Sequence, residues 1–452
     1  KRITLLKTMF CRNFIIYFIL LEIVSLFYVY LCSFSNKPEQ VHLSLGYDPS
    51  QMYVTWISHR RTPYEGSALV RYGFNRYNLS LIAFGRTTRF TTNYTRYVHR
   101  VLLINLRSNS HYYYRCGWSN GLFSETFKFK TLPIDQENHP VKIAVYGDLG
   151  FKNGVSIPYL TQQVSENTYD AIFHTGDIAY DLHFEDGHIG DSFMQALEPV
   201  AANVPYQVVV GNHEDDGFNF TDYRYRFTMA DETSGQINNL FYSFHIGSAL
   251  VIGFSSEFYY FTNYGLKQIE NQYRWLEEVL SEANKPENRC RFPWIIAMCH
   301  RPMYCSSRDD DDCTNADTIL RKGIPIVNRY GLEDLFYKYG VDIIFAGHEH
   351  NYERMFPVFN RTVMEGSSSL NPYDKPEAPV HFVVGAAGND EFIDPFILKR
   401  YPWSAKRIFN YGITEMVILN KTNIRIRQRD TTKNGDVVDS IEIIKGRFGL
   451  FN

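Results

Sequence analysis

Five short polar clusters, each at the end of an apolar run, recur through the middle of this 452-residue chain. They are Gly147-Asp148-Leu149-Gly150, Gly176-Asp177-Ile178-Ala179-Tyr180, Gly211-Asn212-His213-Glu214, His300 directly after Cys299, and Gly347-His348-Glu349-His350. Asp148 and Asp177 offer carboxylate oxygen, Tyr180 a phenolate, Asn212 a neutral carbonyl oxygen, and His300, His348 and His350 imidazole nitrogen. A structural zinc prefers four ligands rich in Cys and His, so this set is too large and too rich in oxygen for one such ion. It suits two cations that share a carboxylate and sit about 3.5–4 Å apart, as in two-metal hydrolysis. A phenolate favours a hard, strongly Lewis-acidic ion, which Fe(III) satisfies better than Zn(II). Taken singly, each residue has a plainer reading: Gly-Asp is a frequent turn, and a lone Tyr is a packing aromatic. The site is argued from their ordered recurrence.

The elements that must position these clusters follow from the apolar patterning. After Pro140, strands are expected at Val141–Tyr146, Ala171–His174, Tyr206–Val210, Ala249–Phe254, Trp294–Met298 and Val341–Phe345, with helices at Leu266–Glu282 and Gly331–Tyr339. This alternation predicts an α/β sheet with covered faces. In such sheets, ligand sites form where strand carboxyl ends converge, and the five clusters stand at those ends. Further strands are expected at Val380–Gly385, Gly412–Leu419, Ile424–Gln428 and Val437–Ile444, forming a second sheet packed on the first. The last 70 or so residues of a catalytic domain spanning 140–446 thus read as a β-rich extension.

Ahead of this lies a different texture. Short alternating runs at Val41–Leu45, Met52–Ile57, Ala68–Tyr72, Tyr97–Leu103 and His111–Cys116 predict an all-β sandwich over residues 37–133, resembling fibronectin type III, with Trp56 in its core. Thr131 to Pro140 reads as a linker. Residues 1–35 read as a signal peptide starting at Met9: Arg12 precedes an apolar run from Phe14 to Phe34, and Ser33 and Ser35 suit cleavage. The alternative is a signal anchor, although Glu22 in mid-run is costly in a membrane. Both readings export the chain, and the first leaves no stable membrane insertion once the peptide is removed. Sequons at Asn78, Asn93, Asn219, Asn360 and Asn420 agree with export, as does Cys305 with Cys313, which can close a short disulfide loop. A net charge of −3 argues against nucleic acid as a partner.

The ordered set GDLG, GDIAY, GNHE, AMCH and GHEH resembles the purple acid phosphatases within the metallophosphoesterases, and CHRPMYC and YGLEDLFYKYGVD look like their animal high-molecular-weight branch. The resemblance implies an α/β metallophosphoesterase domain of two packed mixed sheets flanked by helices. It implies Fe(III) on Asp148, Tyr180 and His350, a divalent Fe, Zn or Mn on Asn212, His300 and His348, and Asp177 bridging both, with a purple colour from Tyr180. The activity implied is that of a secreted or lysosome-like acid phosphatase, hydrolysing small phosphate monoesters or phosphoproteins with hydroxide activated by the metals. Asn212 and His213 would contact substrate, and His213 would hydrogen-bond a phosphate oxygen or assist the leaving alkoxide. Glu214, Asp181, Tyr352 and Glu353 are candidates for supporting the ligands from behind.

Two departures stand out. The fourth motif has Ala297 where the family has Val, which changes packing and leaves the ligand intact. Plant relatives carry a substrate-contacting His pair about nine residues past that ligand, where this chain has Asp309 and Asp310 in an acidic run, read here as a solvated loop. Two other functions compete: a phosphodiesterase on the same centre, and a non-catalytic cell-surface binding protein. In any of these readings the sandwich is expected to pack on the catalytic domain, where it borders the site or mediates a homodimer.

Overall fold

The computed structural model describes residues 37–59, 67–91, 94–119, 122–134, 139–308, 312–364, 366, 371–446 and 448–451. The expected signal segment, Asn93, Asp309 and Asp310 lie outside the described residues.

Residues 39–130 fold as two four-stranded antiparallel sheets. One orders Glu39–Leu45, Met52–Ser58, Thr95–Leu103 and Arg86–Thr91; the other orders Leu81–Phe84, Ala68–Gly73, His111–Trp118 and Phe127–Lys130. Period-two alternation turns one face of each sheet inward. Trp56 is fully buried and stacks on His99 with ring centroids 5.1 Å apart. Arg86–Thr91 gave no apolar alternation in the sequence because five of its six residues are exposed. The start of the expected linker is packed rather than free: Thr131 and Leu132 are buried.

The second half is built on two mixed sheets. The first orders Tyr206–Val208, Ala171–His174, Val141–Tyr146, Gly412–Ile418, Asn423–Asp430 and Asp436–Ile444. The second orders Tyr242–Ile246, Ala249–Gly253, Trp294–Met298, Ile343–Ala346, Val380–Val384, Tyr352–Met355 and Ser404–Ile408. The strands expected to form one α/β sheet are therefore divided between two. The last three strands extend the first sheet instead of making another. Val141–Tyr146 is buried almost throughout and needs partners on both edges. Ala171–His174 pairs with it in parallel, and Gly412–Ile418 closes the other edge antiparallel, with Met416 opposite Ile143. Alternation identifies a strand but not its neighbour, so this pairing was not readable from the pattern.

Helices cover the sheets. Lys267–Ala283 buries Ile269, Gln272, Trp275, Leu276, Val279 and Leu280, a helical stripe of threes and fours. His188–Ala201, not foreseen from the sequence, buries Phe193, Met194, Leu197 and Val200 and carries the contact to the sandwich. At its first turn, Asp191 accepts from Arg96 Nε at 2.9 Å and from Arg226 Nη1 at 2.8 Å, and all three are buried. Among the described residues no helix is long and apolar enough to cross a membrane.

Candidate metal centre

The clusters lie where strand ends of both sheets come together: Gly147 N–H, leaving the first sheet, donates to Val384 C=O of the second at 2.9 Å, and within the second Gly347 N–H donates to His300 C=O at 2.8 Å. Asp148, Asp177 and Asn212 thus arrive from one sheet, and His300, His348 and His350 from the other. The turns are tight. Asp148, Asp177, Tyr180 and His348 all have left-handed φ, at 63°, 54°, 58° and 71°, a conformation costing roughly 1–2 kcal/mol per residue. Such strain persists where surrounding structure enforces it. A Cβ at Gly211 would stand 2.2 Å from Asp177 Oδ1, and one at Gly347 would stand 2.4 Å from Asp148 Oδ2, so both positions require glycine for close approach.

Around His300 the hydrogen-bond chemistry is diagnostic. Its Nδ1 lies 2.9 Å from Thr175 C=O, which can only accept, so Nδ1 carries a proton and Nε2 presents its lone pair. Nε2 then faces Asp177 Oδ2 at 3.1 Å, Asn212 Oδ1 at 3.0 Å and His348 Nδ1 at 3.1 Å. Asp177, His300 and His348 each offer a ligand atom within 4.8 Å of the others. An imidazole lone pair, a carboxylate and an amide oxygen meeting at one point, with a second imidazole beside them, make a donor set for a cation. Burial opposes a second proton on His300, but the charge and hydrogen bond of Asp177, with Asp148 behind, push it up to about 10.

A second group adjoins the first. Tyr180 Oη is 2.6 Å from His350 Nε2 and 3.4 Å from Asp148 Oδ1, and His350 Nε2 is 3.7 Å from Asp148 Oδ1. Burial, then the charge of Asp177 and Asp394, holds the Asp148 carboxyl well above the usual carboxylate range against the pull of His300. Burial, then the charge of Asp148, raises the Tyr180 phenol. Burial also raises the Asp177 carboxyl, but His300 and His213 together outweigh it and leave it below its ordinary value. These are the protons that a cation displaces when it binds carboxylate, phenolate and imidazole, so the donor set fits two adjacent metal ions.

Supporting residues complete the site. Glu214 accepts from the N–H groups of Asp177, Ile178 and Gly211 at 2.9, 2.8 and 2.7 Å, tying two clusters together. His213 gives its backbone N–H to Asp177 Oδ1 at 2.9 Å, holds Asp181 Oδ1 through Nδ1 at 3.1 Å and packs on Tyr180 at 4.4 Å between centroids. Burial opposes its charged form, yet Asp177, Asp181 and Glu391 push it up to about 10. Tyr352 and Glu353 do not meet the ligand side chains. Tyr352 Oη reaches Asp439 at 2.9 Å, and Glu353 holds Ser306 N–H at 2.7 Å.

The sequence reading missed Asn389, whose Nδ2 donates to Tyr180 Oη at 2.6 Å, and Asp394, which accepts from His350 N–H at 2.6 Å. Gly388-Asn389-Asp390-Glu391 follows the strand Val380–Val384 as the other clusters follow theirs, with Gly385-Ala386-Ala387 intervening. That spacing was the available signal. Beside Tyr180 and His213 opens a cavity of ≈ 260 Å³ walled by Phe151, Phe184, Ile189 and Glu391. Elsewhere Cys305 and Cys313 are joined in a disulfide. Asn78 and Asn360 are exposed, while Asn219 and Asn420 are half-buried.

A fold of two mixed sheets whose strand ends come together at such a site defines a metallophosphoesterase, and comparison with known proteins agrees. Family models described as "Calcineurin-like phosphoesterase", "Purple acid Phosphatase, N-terminal domain" and "Iron/zinc purple acid phosphatase-like protein C" match residues 141–352, 38–131 and 378–440. Acid phosphatase type 7 of Homo sapiens is 43% identical over 92% of each chain. Purple acid phosphatase 23 of Arabidopsis thaliana is 31% identical over 80% of this chain and 81% of its own. In fold, the chain is similar to the purple acid phosphatase PPD1 from yellow lupin seeds, with a TM-score of 0.73, 23% identity, and coverage of 91% of this chain and 75% of that one. The chain belongs to the purple acid phosphatase family, whose members carry a dinuclear metal centre, and it is a phosphatase by class.

Proposed function

We propose that this is an acid phosphatase for phosphate monoesters, built on an Fe(III) held by Asp148, Tyr180 and His350 and a divalent ion held by Asn212, His300 and His348, with Asp177 shared. The observation that carries the reading is the convergence of Asp177, Asn212 and His348 on His300 Nε2 within 3.1 Å. When bound, the metal pair supplies Lewis acidity that activates water and neutralises phosphate charge. Around it, the chain's own residues orient the reaction. Asn212 and His213 lie at the same turn and face the substrate phosphate. The His213 ring is fixed by Asp181 on one side and Tyr180 on the other, leaving Nε2 to donate to a phosphate oxygen or the departing alkoxide. Glu214 keeps the Asp177 and Gly211 turns in register. The cavity walled by Phe151 and Phe184 receives the alcohol portion of the ester. The second ion is Fe(II), Zn(II) or Mn(II).

Export accompanies this reading. A signal peptide over residues 1–35, the sandwich over 37–133 and the catalytic domain over 140–446 make a secreted or lysosome-like glycoprotein. The Cys305–Cys313 disulfide supports an oxidising compartment, and exposed Asn78 and Asn360 offer accessible acceptor sites.

The test is metal analysis and visible spectroscopy of the purified chain, with hydrolysis of an aryl phosphate monoester from acid to neutral pH. Two metals per chain, a visible band and turnover are expected, and Asp177→Asn should lower kcat by about 1,000-fold or more, as loss of a principal charge-stabilising group does. Full activity in Asp177→Asn would remove the shared carboxylate from the scheme.

A further inference from the structure

The cavity beside Tyr180 and His213 has a wall of strained backbone. Between Ala179 and Asp186, five residues other than glycine hold left-handed φ: Ala179 at 73°, Tyr180 at 58°, Asp181 at 71°, Glu185 at 52° and Asp186 at 57°. Strain of this kind clusters at ligand clamps and active sites, and it persists where neighbouring structure enforces it. Here the enforcement is visible at both ends. Phe151 N–H donates to Ala179 C=O at 3.0 Å, and the fully buried Arg226 gives Nη2 to Gly187 C=O at 2.8 Å. Within the turn, Phe184 N–H donates to Asp181 C=O at 3.0 Å. The turn thereby sets Phe184, Asp181 and Glu185 on the cavity, with Phe184 53% exposed.

The rest of the lining is pinned as firmly. Asn389, the donor to Tyr180 Oη, accepts Glu391 N–H on Oδ1 at 2.9 Å and Asn153 Nδ2 on its backbone carbonyl at 2.6 Å. Asp390 and Glu391 are so placed on the cavity, beside Phe151 and Lys152. Asp181 Oδ1 and Glu391 Oε1 approach the two ring nitrogens of His213, at 3.1 and 3.6 Å, and mark the end nearest the metal centre. Lys152 and Asp390, 3.9 Å apart with 72% and 45% of their side chains exposed, mark the outer rim, where Glu185 is exposed too. The lining thus holds four carboxylates against Lys152 and the His213 ring. Carboxylates predominate even with that ring counted as a cation, and a cleft lined by one sign of charge focuses its field on what enters.

We propose that this cavity selects phosphate monoesters whose alcohol is apolar next to the ester oxygen and positively charged beyond it. The inference rests on the phosphatase reading above, in which the cavity receives the alcohol portion, and deepens it by naming that alcohol's class. Phe151 and Phe184 supply apolar surface beside the ester, and an aromatic face also attracts a cation. Asp390 and Glu185 at the rim attract an ammonium group and repel a carboxylate or a further phosphate. Esters whose alcohol portion carries additional phosphates are therefore disfavoured by the field that favours amines, so one arrangement gives both attraction and rejection.

The test measures kcat and KM of the metal-loaded full chain on phenyl phosphate, 4-(2-aminoethyl)phenyl phosphate and 4-(carboxymethyl)phenyl phosphate. Methylene groups insulate each charge from the ring, so the leaving groups stay chemically alike. At about pH 6 the amine is protonated and the carboxylate ionised. The cationic ester should exceed the anionic one in kcat/KM by about tenfold at low salt. That ratio should shrink as the screening length falls from about 30 Å at 0.01 M salt to about 8 Å at 0.15 M. Glu185→Gln and Asp390→Asn, near-isosteric changes at exposed positions, should each lower the ratio by about two- to fivefold, the worth of one exposed ion pair. Phe184→Ala should raise KM for phenyl phosphate by about two- to tenfold, the worth of an aromatic pair. An equal rate on the charged esters, or a ratio untouched by both carboxylate variants with two metals bound, would overturn the proposal. So would an equal drop in Glu287→Gln, on the helix Pro286–Arg291 and outside the cavity lining, because overall charge would then explain the preference. Wild-type chain that holds two metals yet hydrolyses none of these esters refutes the phosphatase reading itself, whereas equal turnover of all of them refutes only the selection.

Discussion

Asn389 Nδ2 donates a hydrogen bond of 2.6 Å to Tyr180 Oη, although 209 residues separate them. On the proposed assignment, a donor on the phenolate would draw electron density away from a ferric ion held there, so this contact would tune both colour and redox balance. Tyr180→Phe should abolish the visible band while one divalent ion per chain remains. Asn389→Ala should keep the band and shift it to longer wavelength, because the phenolate becomes a better electron donor. Absorption spectra paired with metal analysis check both, and an unmoved band in Asn389→Ala would detach this contact from the iron ligand.

Glu214 secures the backbone behind two ligands by accepting three buried N–H groups. Burial, with the charge of Asp177, pushes it up to about 8. Glu214→Ala orphans those donors and loosens the turns carrying Asp177 and Asn212. Metal affinity should fall about 10- to 100-fold, the range for lost outer contacts of a metal site, as read by competition with a chelator. Glu214→Gln, with one acceptor oxygen, should lose less.

Asp191 joins Arg96 of the sandwich to Arg226 of the catalytic half with every partner buried. Removing it leaves the buried Arg96 guanidinium without its carboxylate and Arg226 with Asp222 alone, so Asp191→Ala should cost about 3–5 kcal/mol. Replacing Arg96, Asp191 and Arg226 together by apolar residues, with the buried Arg226 partner Asp222 changed to Asn, should recover much of that loss, since no unpaired charge stays inside. Denaturant unfolding of the single and combined variants gives the comparison.

Glu198, on the same helix, accepts from Val41 N–H at 2.8 Å. Burial, with the nearby Glu125 and Glu39, pushes its carboxyl up from 4.5 to about 7, against the Val41 bond. A raised folded-state value means that the folded chain holds the proton more tightly than the unfolded one. The stability this contributes is complete below about pH 4.5 and is lost as pH rises through about 7, an effect of about 1–3 kcal/mol. The contact between the halves is thereby strongest at acidic pH. Glu198→Gln should flatten the pH dependence of Tm across that window, while an unchanged slope would assign the titration elsewhere.

The candidate centre was legible because the residues proposed as its ligands are carried in local motifs. A strand end, a glycine and a polar residue are written contiguously at Gly147-Asp148, Gly176-Asp177, Gly211-Asn212 and Gly347-His348. Asn389 escaped because Gly385-Ala386-Ala387-Gly388 part it from its strand. The helix His188–Ala201 escaped too: it opens after a glycine and carries Pro199 within its span, both weak helix signals.

By itself the amino-acid order determined which groups could bind metal, that strands would deliver them, and that an all-β unit precedes the catalytic one. Local periodicity and turn chemistry act over a few residues, and those features are local. Only the tertiary structure decided that Gly412–Ile418 pairs with Val141–Tyr146, that the candidate ligands come from strand ends of two different sheets, and that Asp191 welds the halves together. Partner choice between strands depends on burial and hydrogen-bond closure over hundreds of residues, and no short window of sequence contains that sum.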